Sequence, residues 1–159
     1  MEDESGAKVV GNARAYGVRD GSGTVYLALI SPEATAPTED VVELVEAYIQ
    51  TQRPVGAKPV ISAAEEVEVT VNGIIELQEG ANIETIRSQA QTELTNYLAE
   101  IALTGQADTT LNYYRVGMII GAIDGVKEIV NYTINNGEES INADYSQFFA
   151  LKGLTLNAS

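Results

Sequence analysis

The chain has 159 residues, 45% apolar and 20% charged, which fits one ordinary folded domain or two small ones and is too apolar for a disordered chain. It contains no cysteine and no histidine, which excludes disulfide scaffolds, thiol nucleophiles, zinc fingers and every catalytic arrangement built on an imidazole base. A net charge of −14, from 9 basic and 23 acidic residues, argues against nucleic acid or an anionic membrane as partner and leaves a basic protein as the sharper option beside plain solubility.

In chain order, residues 1–6 are expected to be a flexible acidic leader, without the apolar stretch of a secretory signal. No apolar run approaches the ~20 residues that span a bilayer, so a soluble protein made in the cytoplasm is expected. Val9–Tyr16 reads as weakly extended, and the turn Asp20-Gly21-Ser22-Gly23 closes a hairpin with Thr24–Ile30, a strand apolar on both faces. Thr38 is placed to cap a helix, with Glu39 and Asp40 at the positive end of its dipole. Val41, Leu44, Val45, Tyr48 and Ile49 then form one apolar stripe, which Pro54 and Gly56 end. Lys58–Ser62 returns as a short strand.

A second unit follows. Val67, Val69, Val71, Ile75 and Leu77 alternate with Glu66, Glu68, Thr70, Asn72 and Glu76, the period of a strand with one wet face. Asn82 caps a helix of about five turns carrying Ile83, Ile86, Ala90, Leu94, Tyr97, Leu98 and Ile101 at helical spacing. The run Leu111–Ile123 fits a buried helix or a strand, and its small residues Gly117, Gly121 and Ala122 favour a short helix. Val126–Ile134 reads as a strand, Asn135-Asn136-Gly137 as the turn after it, and Phe148–Leu156 as a closing strand. The predicted class is α+β: two consecutive small sheet-plus-helix domains, β-α-β units with antiparallel hairpins, over residues 7–64 and 65–159.

Several motifs are candidate sites. Glu65, Glu66 and Glu68, or Glu138 and Glu139, are conceivable as a cation site or a glycosidase carboxylate pair, with Tyr113 and Tyr114 stacking on a sugar. A solvated strand edge and a turn explain these glutamates equally. The Asp20–Gly23 turn lacks the alternating ligands of a calcium loop, and Gly117–Gly125 matches neither a phosphate loop nor a dinucleotide fingerprint. No catalytic residue, cofactor or metal is expected. Val126–Ile134 and Phe148–Leu156 are predicted edge strands that must be paired, charged or hidden. Tyr132, Tyr145, Phe148 and Phe149 are therefore either contact anchors or the core of the second domain.

The ordered series Gly23-Thr24-Val25, Arg53-Pro54-Val55-Gly56-Ala57, Val67-Glu68-Val69-Thr70-Val71, Gly125-Val126-Lys127, Asn131–Gly137 and Leu151–Leu156 resembles the later part of the baseplate J-like proteins of contractile-tailed phages and prophages. The likeness runs from about Gly23 to Leu156 and covers the C-terminal half or so of a typical member, so a fragment or a short homologue is expected. What the resemblance implies is a structural wedge component of the virion tail baseplate, assembled in the bacterial host cytoplasm. Its implied partners are other tail subunits, with homo-oligomers possible, and its task is contact and not catalysis. The alternatives are a carboxylate-based, lysozyme-like cell-wall glycosidase of the same particle and a generic protein-binding adaptor.

Overall fold

The computed structural model describes residues 8–18, 21–106 and 108–159. The expected leader and the Asp20 end of the first turn lie outside them. The strands are β1 Asn12–Gly17, β2 Thr24–Ile30, β3 Lys58–Ala63, β4 Glu65–Leu77, β5 Thr109–Leu111, β6 Val126–Ile134, β7 Ile141–Ala143 and β8 Gln147–Ala158. The helices are α1 Glu39–Gln52, α2 Ile83–Thr104 and α3 Tyr113–Gly121. The α+β class is as predicted.

Contacts divide the chain into two compact units. One holds the described part of 1–67 with Glu100–Thr109 and Ala143–Phe148; the other holds Glu68–Ala99, Thr110–Asn142 and Phe149–Ser159. The first unit thus takes two segments from late in the sequence.

In the first unit the sheet order is β1-β2-β3. Strands β1 and β2 form the expected antiparallel hairpin, from Asn12↔Ile30 to Gly17↔Val25. Strands β2 and β3 run parallel, from Thr24↔Lys58 to Leu29↔Ala63, with α1 as the crossover that parallel strands require. Helix α1 lies over the face carrying Val25, Leu27 and Pro59, which line a cleft with its Ile49. Thr38 sits at the N-cap in extended conformation but makes no side-chain cap; its carbonyl accepts from the Val41 and Val42 amides. The cap expected of its hydroxyl is therefore not made.

Arg14 is on the opposite sheet face and is only 2% exposed. Its Nη1 donates to the Gln147 carbonyl at 2.6 Å, and its Nη2 to the Ala102 and Ile101 carbonyls at 3.1 and 3.4 Å. Asn12 Nδ2 donates to the Ala102 and Gly105 carbonyls, both at 2.9 Å. The last turn of α2 has no basic residue of its own. Arg14 supplies the cation that a helix C-terminus favours, and the two side chains satisfy carbonyls the helix cannot. Gly105 is required here, since a Cβ would stand 2.4 Å from Thr109 Cγ2 and 2.5 Å from the Ile101 carbonyl.

The second unit has the sheet order β6-β4-β8, with β4 and β6 antiparallel from Val71↔Ile134 to Leu77↔Val126. The register shifts between Ile74 and Ile75 and between Glu76 and Leu77, the marks of bulges. Along β4 the predicted alternation holds: Val69, Val71 and Ile75 are buried while Glu68 and Asn72 are exposed. Ile86, Ala90, Leu94 and Leu98 recur every four residues on α2 and are all buried. Asn82 Oδ1 accepts from the Glu84 amide at 2.8 Å, the predicted cap.

The ambiguous run resolves into β5, which pairs with β7, followed by α3, capped by Asn112 through the Arg115 amide at 3.0 Å. Beyond β6, Asn135 and Asn136 take φ of 48° and 63°, and Ile134 and Gly137 exchange two backbone hydrogen bonds. This is the two-residue hairpin turn that asparagines tolerate. The Asn135 side chain accepts from the Thr70 amide and donates to the Glu68 carbonyl, tying the turn to β4.

Candidate interaction surfaces

Strands β6 and β8 are the edges of the second unit's sheet, as expected from their sequences. Each meets a side chain from a helix. On β6 the Tyr113 hydroxyl donates to the Tyr132 carbonyl at 2.8 Å, while the Tyr132 hydroxyl donates to the Tyr113 carbonyl at 2.9 Å. Their rings stack with centroids 4.3 Å apart and planes 9° from parallel. Gly117 makes room for this clasp, since a Cβ there would lie 2.5 Å from the Tyr132 hydroxyl. Burial, reinforced by the Tyr113 hydroxyl, pushes the Tyr132 phenol up from 10.0 to about 12. On β8, Arg87 Nε donates to the Leu156 carbonyl at 2.7 Å, and Arg87 also pairs with Glu84. Each edge strand therefore has one carbonyl that accepts from a helix side chain of the same chain.

Tyr145 is half-buried and stacks on Tyr16 at 5.0 Å, within the first unit. Tyr16, Tyr26 and Val60 are cross-strand neighbours in register, so they form a partly exposed row across β1, β2 and β3. Phe148 and Phe149 are both buried. Successive strand residues point to opposite faces, so β8 is covered on both sides at this point and neither ring is offered to another molecule. The sequence left core and contact open for these residues because it shows two apolar neighbours and not what covers each.

Glu65, Glu66 and Glu68 lie on β4, and Glu138 and Glu139 are exposed beyond the asparagine turn. Of these, Glu138 reaches the shallow groove beside Tyr113, Val130 and Tyr132. Among the described residues, no group of three or more acidic side chains is placed to hold a metal ion. Glycoside hydrolysis needs two carboxyls facing one bond, roughly 5–10 Å apart. A groove with a single glutamate does not supply that pair.

A larger concavity, about 450 Å³, lies between α2 and α3 in the second unit. Met118, Ile119, Ala122 and Ile123 give it apolar lining, and Glu93, Asp124 and Arg115 are its charged residues. Met118 is 63% exposed, and Tyr114, one turn earlier on α3, is 76% exposed. The sequence offered Tyr114 as a ring that could stack on a sugar or serve as a core or interface residue, and did not single out Met118. The signal available was their four-residue spacing beside the buried set Val116, Gly117 and Ile120.

Two family models match the chain in order: the baseplate J-like central domain over residues 5–63 and the baseplate J-like protein C-terminal domain over residues 67–157. Among solved structures, a chain of the anti-feeding prophage baseplate, determined by cryo-EM with six-fold symmetrisation, is similar with a TM-score of 0.69 at 12% identity. The match covers 89% of this chain and 33% of that one, so this chain spans about a third of that relative's length. No curated protein sequence matches significantly.

Proposed function

We propose a function from one premise: the chain belongs to the baseplate J-like protein family, through its central and C-terminal domains. The reading is a structural component of a contractile-tail baseplate of a phage or prophage, working through contacts with other tail subunits. The observation that carries it is the order and extent of the two family matches, which together account for nearly the whole chain. The likeness to a prophage baseplate chain supports the same reading at the level of fold.

On this reading the protein is not an enzyme. The missing imidazoles and thiols and the scattered carboxylates fit a scaffold. Nucleic acid is not a partner, since −14 charges oppose it, and among the described residues no helix is long and apolar enough to cross a membrane. Of the four aromatics considered as contacts, Tyr132 and Tyr145 are both partly exposed and stay in the proposal. Assembly takes place in the bacterial host cytoplasm, with tail subunits as partners and homo-oligomers allowed. The domains proposed are 7–64 and 65–159 after a leader of residues 1–6.

Deleting the gene and imaging the particles tests this. The expected result is loss of complete tails, restored by the intact gene, with the protein found by mass spectrometry in purified baseplates. Normal tails without the protein would overturn the assignment.

A further inference from the structure

We infer that the groove between α2 and α3 receives a basic amphipathic segment of another baseplate subunit, an inference that rests on the baseplate reading above. Met118 lines the concavity and Tyr114 sits one turn before it on α3, so two large, exposed apolar side chains stand together in water. The volume, about 450 Å³, is in the range of concavities that take side chains or ligands, roughly 300–1,000 Å³. Gly121 and Ala122 follow on the same stretch and are exposed, so a partner backbone approaches closely there. Met118 has a flexible, polarisable side chain that adapts to what it packs against.

Charge decides which segment fits. Glu93 lines the groove from α2 and Asp124 from beyond the end of α3, and neither enters an ion pair among the described residues. Arg115, the cation in the groove, is directed over the Tyr97 ring at 5.9 Å. A segment with apolar residues flanked by Lys or Arg buries the apolar lining and pairs the two carboxylates. A second copy of this chain carries −14 charges, which disfavours it as the occupant of this groove.

The probe is a fluorescent amphipathic peptide with leucines on one face and lysines on the other, titrated into the full chain beside a matched peptide with glutamates. The lysine peptide binds, more weakly as salt rises, and the glutamate peptide does not. Met118→Lys weakens binding roughly tenfold, with an unchanged circular dichroism spectrum. Glu93→Gln with Asp124→Asn weakens it a few-fold and flattens the salt dependence. Glu39→Gln with Asp40→Asn removes the same charge from α1 and leaves binding unchanged.

Equal effects of the two charge pairs, unchanged binding by Met118→Lys, or self-association lost on Met118→Lys would each overturn the inference. Particles separate this inference from the reading beneath it. Normal tail yield with Met118→Lys incorporated sinks the groove alone, whereas absence of the wild-type chain from tails sinks the baseplate reading itself.

Discussion

Helices α1 and α2 present similar apolar stripes in sequence and opposite outcomes in the fold. On α2, Ile86, Ala90, Leu94 and Leu98 are all buried. On α1 only Val45 is buried, while Leu44 and Tyr48 from the same stripe remain 40% and 55% exposed. The stripe of α1 is wider than the surface this chain provides to cover it. The difference teaches that helical periodicity announces an apolar face without saying what meets it. In an assembly subunit the cover can come from another molecule.

The largest expected effect tests that contrast directly. Leu94→Ala removes a fully buried side chain and is expected to cost about 2–5 kcal/mol in denaturant unfolding. Leu44→Ala, at the equivalent kind of position on α1, is expected to cost well under ~1 kcal/mol. Equal losses would mean that α1 is covered as fully as α2, and the contrast would be broken.

The ends of the two helices differ as well. Helix α1 closes through neighbours: the Arg53 amide donates to the Ile49 carbonyl, and Arg53 Nη1 to Ala57. The end of α2 depends on Arg14, whose acceptors at Ile101 and Ala102 lie 87 and 88 residues away in sequence. Arg14→Met keeps the apolar stem and leaves carbonyls without donors, at an expected cost of about 2–4 kcal/mol. Arg14→Lys keeps the charge but not the fork of donors, so it should recover part of that loss. Residues 7–64 expressed alone lack these acceptors and are expected not to fold cooperatively by thermal melting.

These cases mark what the sequence made legible. Strand β6, the two faces of β4, the Asn82 cap and the Asn135-Asn136-Gly137 turn were readable because their signals are local: period, cap chemistry and tolerance of positive φ. The three-residue strands β5 and β7 were not, since three residues carry no period. Arg14 looked like any charge in a weakly extended stretch, because its role depends on carbonyls far along the chain. The burial of Phe148 with Phe149 and the exposure of Met118 with Tyr114 were hidden for one reason. Apolar spacing does not reveal which layer lies opposite.

A smaller effect sharpens the comparison between turns. The α1–β3 turn, Arg53–Ala57, is closed by its own backbone and Arg53, whereas the β6 turn is tied to β4 by Asn135. Asn135→Ala removes the Thr70 and Glu68 contacts and places alanine at φ 48°, with an expected loss of about 1–3 kcal/mol by chemical denaturation. Asn135→Gly relieves the φ but not the contacts, so it should fall between wild type and alanine. A glycine variant as stable as wild type would show that the side-chain tie contributes nothing.

The smallest effect separates the two stacked tyrosine pairs. Tyr113 and Tyr132 exchange hydroxyl-to-carbonyl hydrogen bonds, and burial raises Tyr132 to about 12; Tyr16 and Tyr145 stack without such an exchange among the described bonds. Because the folded phenol holds its proton above the unfolded value of 10.0, the native state binds more protons between those two values. Its contribution to stability is complete below pH 10 and falls as pH rises toward about 12. Tyr132→Phe should cost about 1 kcal/mol at neutral pH through the lost bond to the Tyr113 carbonyl, and should make the alkaline decline shallower. If Tyr132→Phe keeps the wild-type slope, the clasp is not what resists alkali, and the stability of α3 on β6 rests on packing around Gly117 instead.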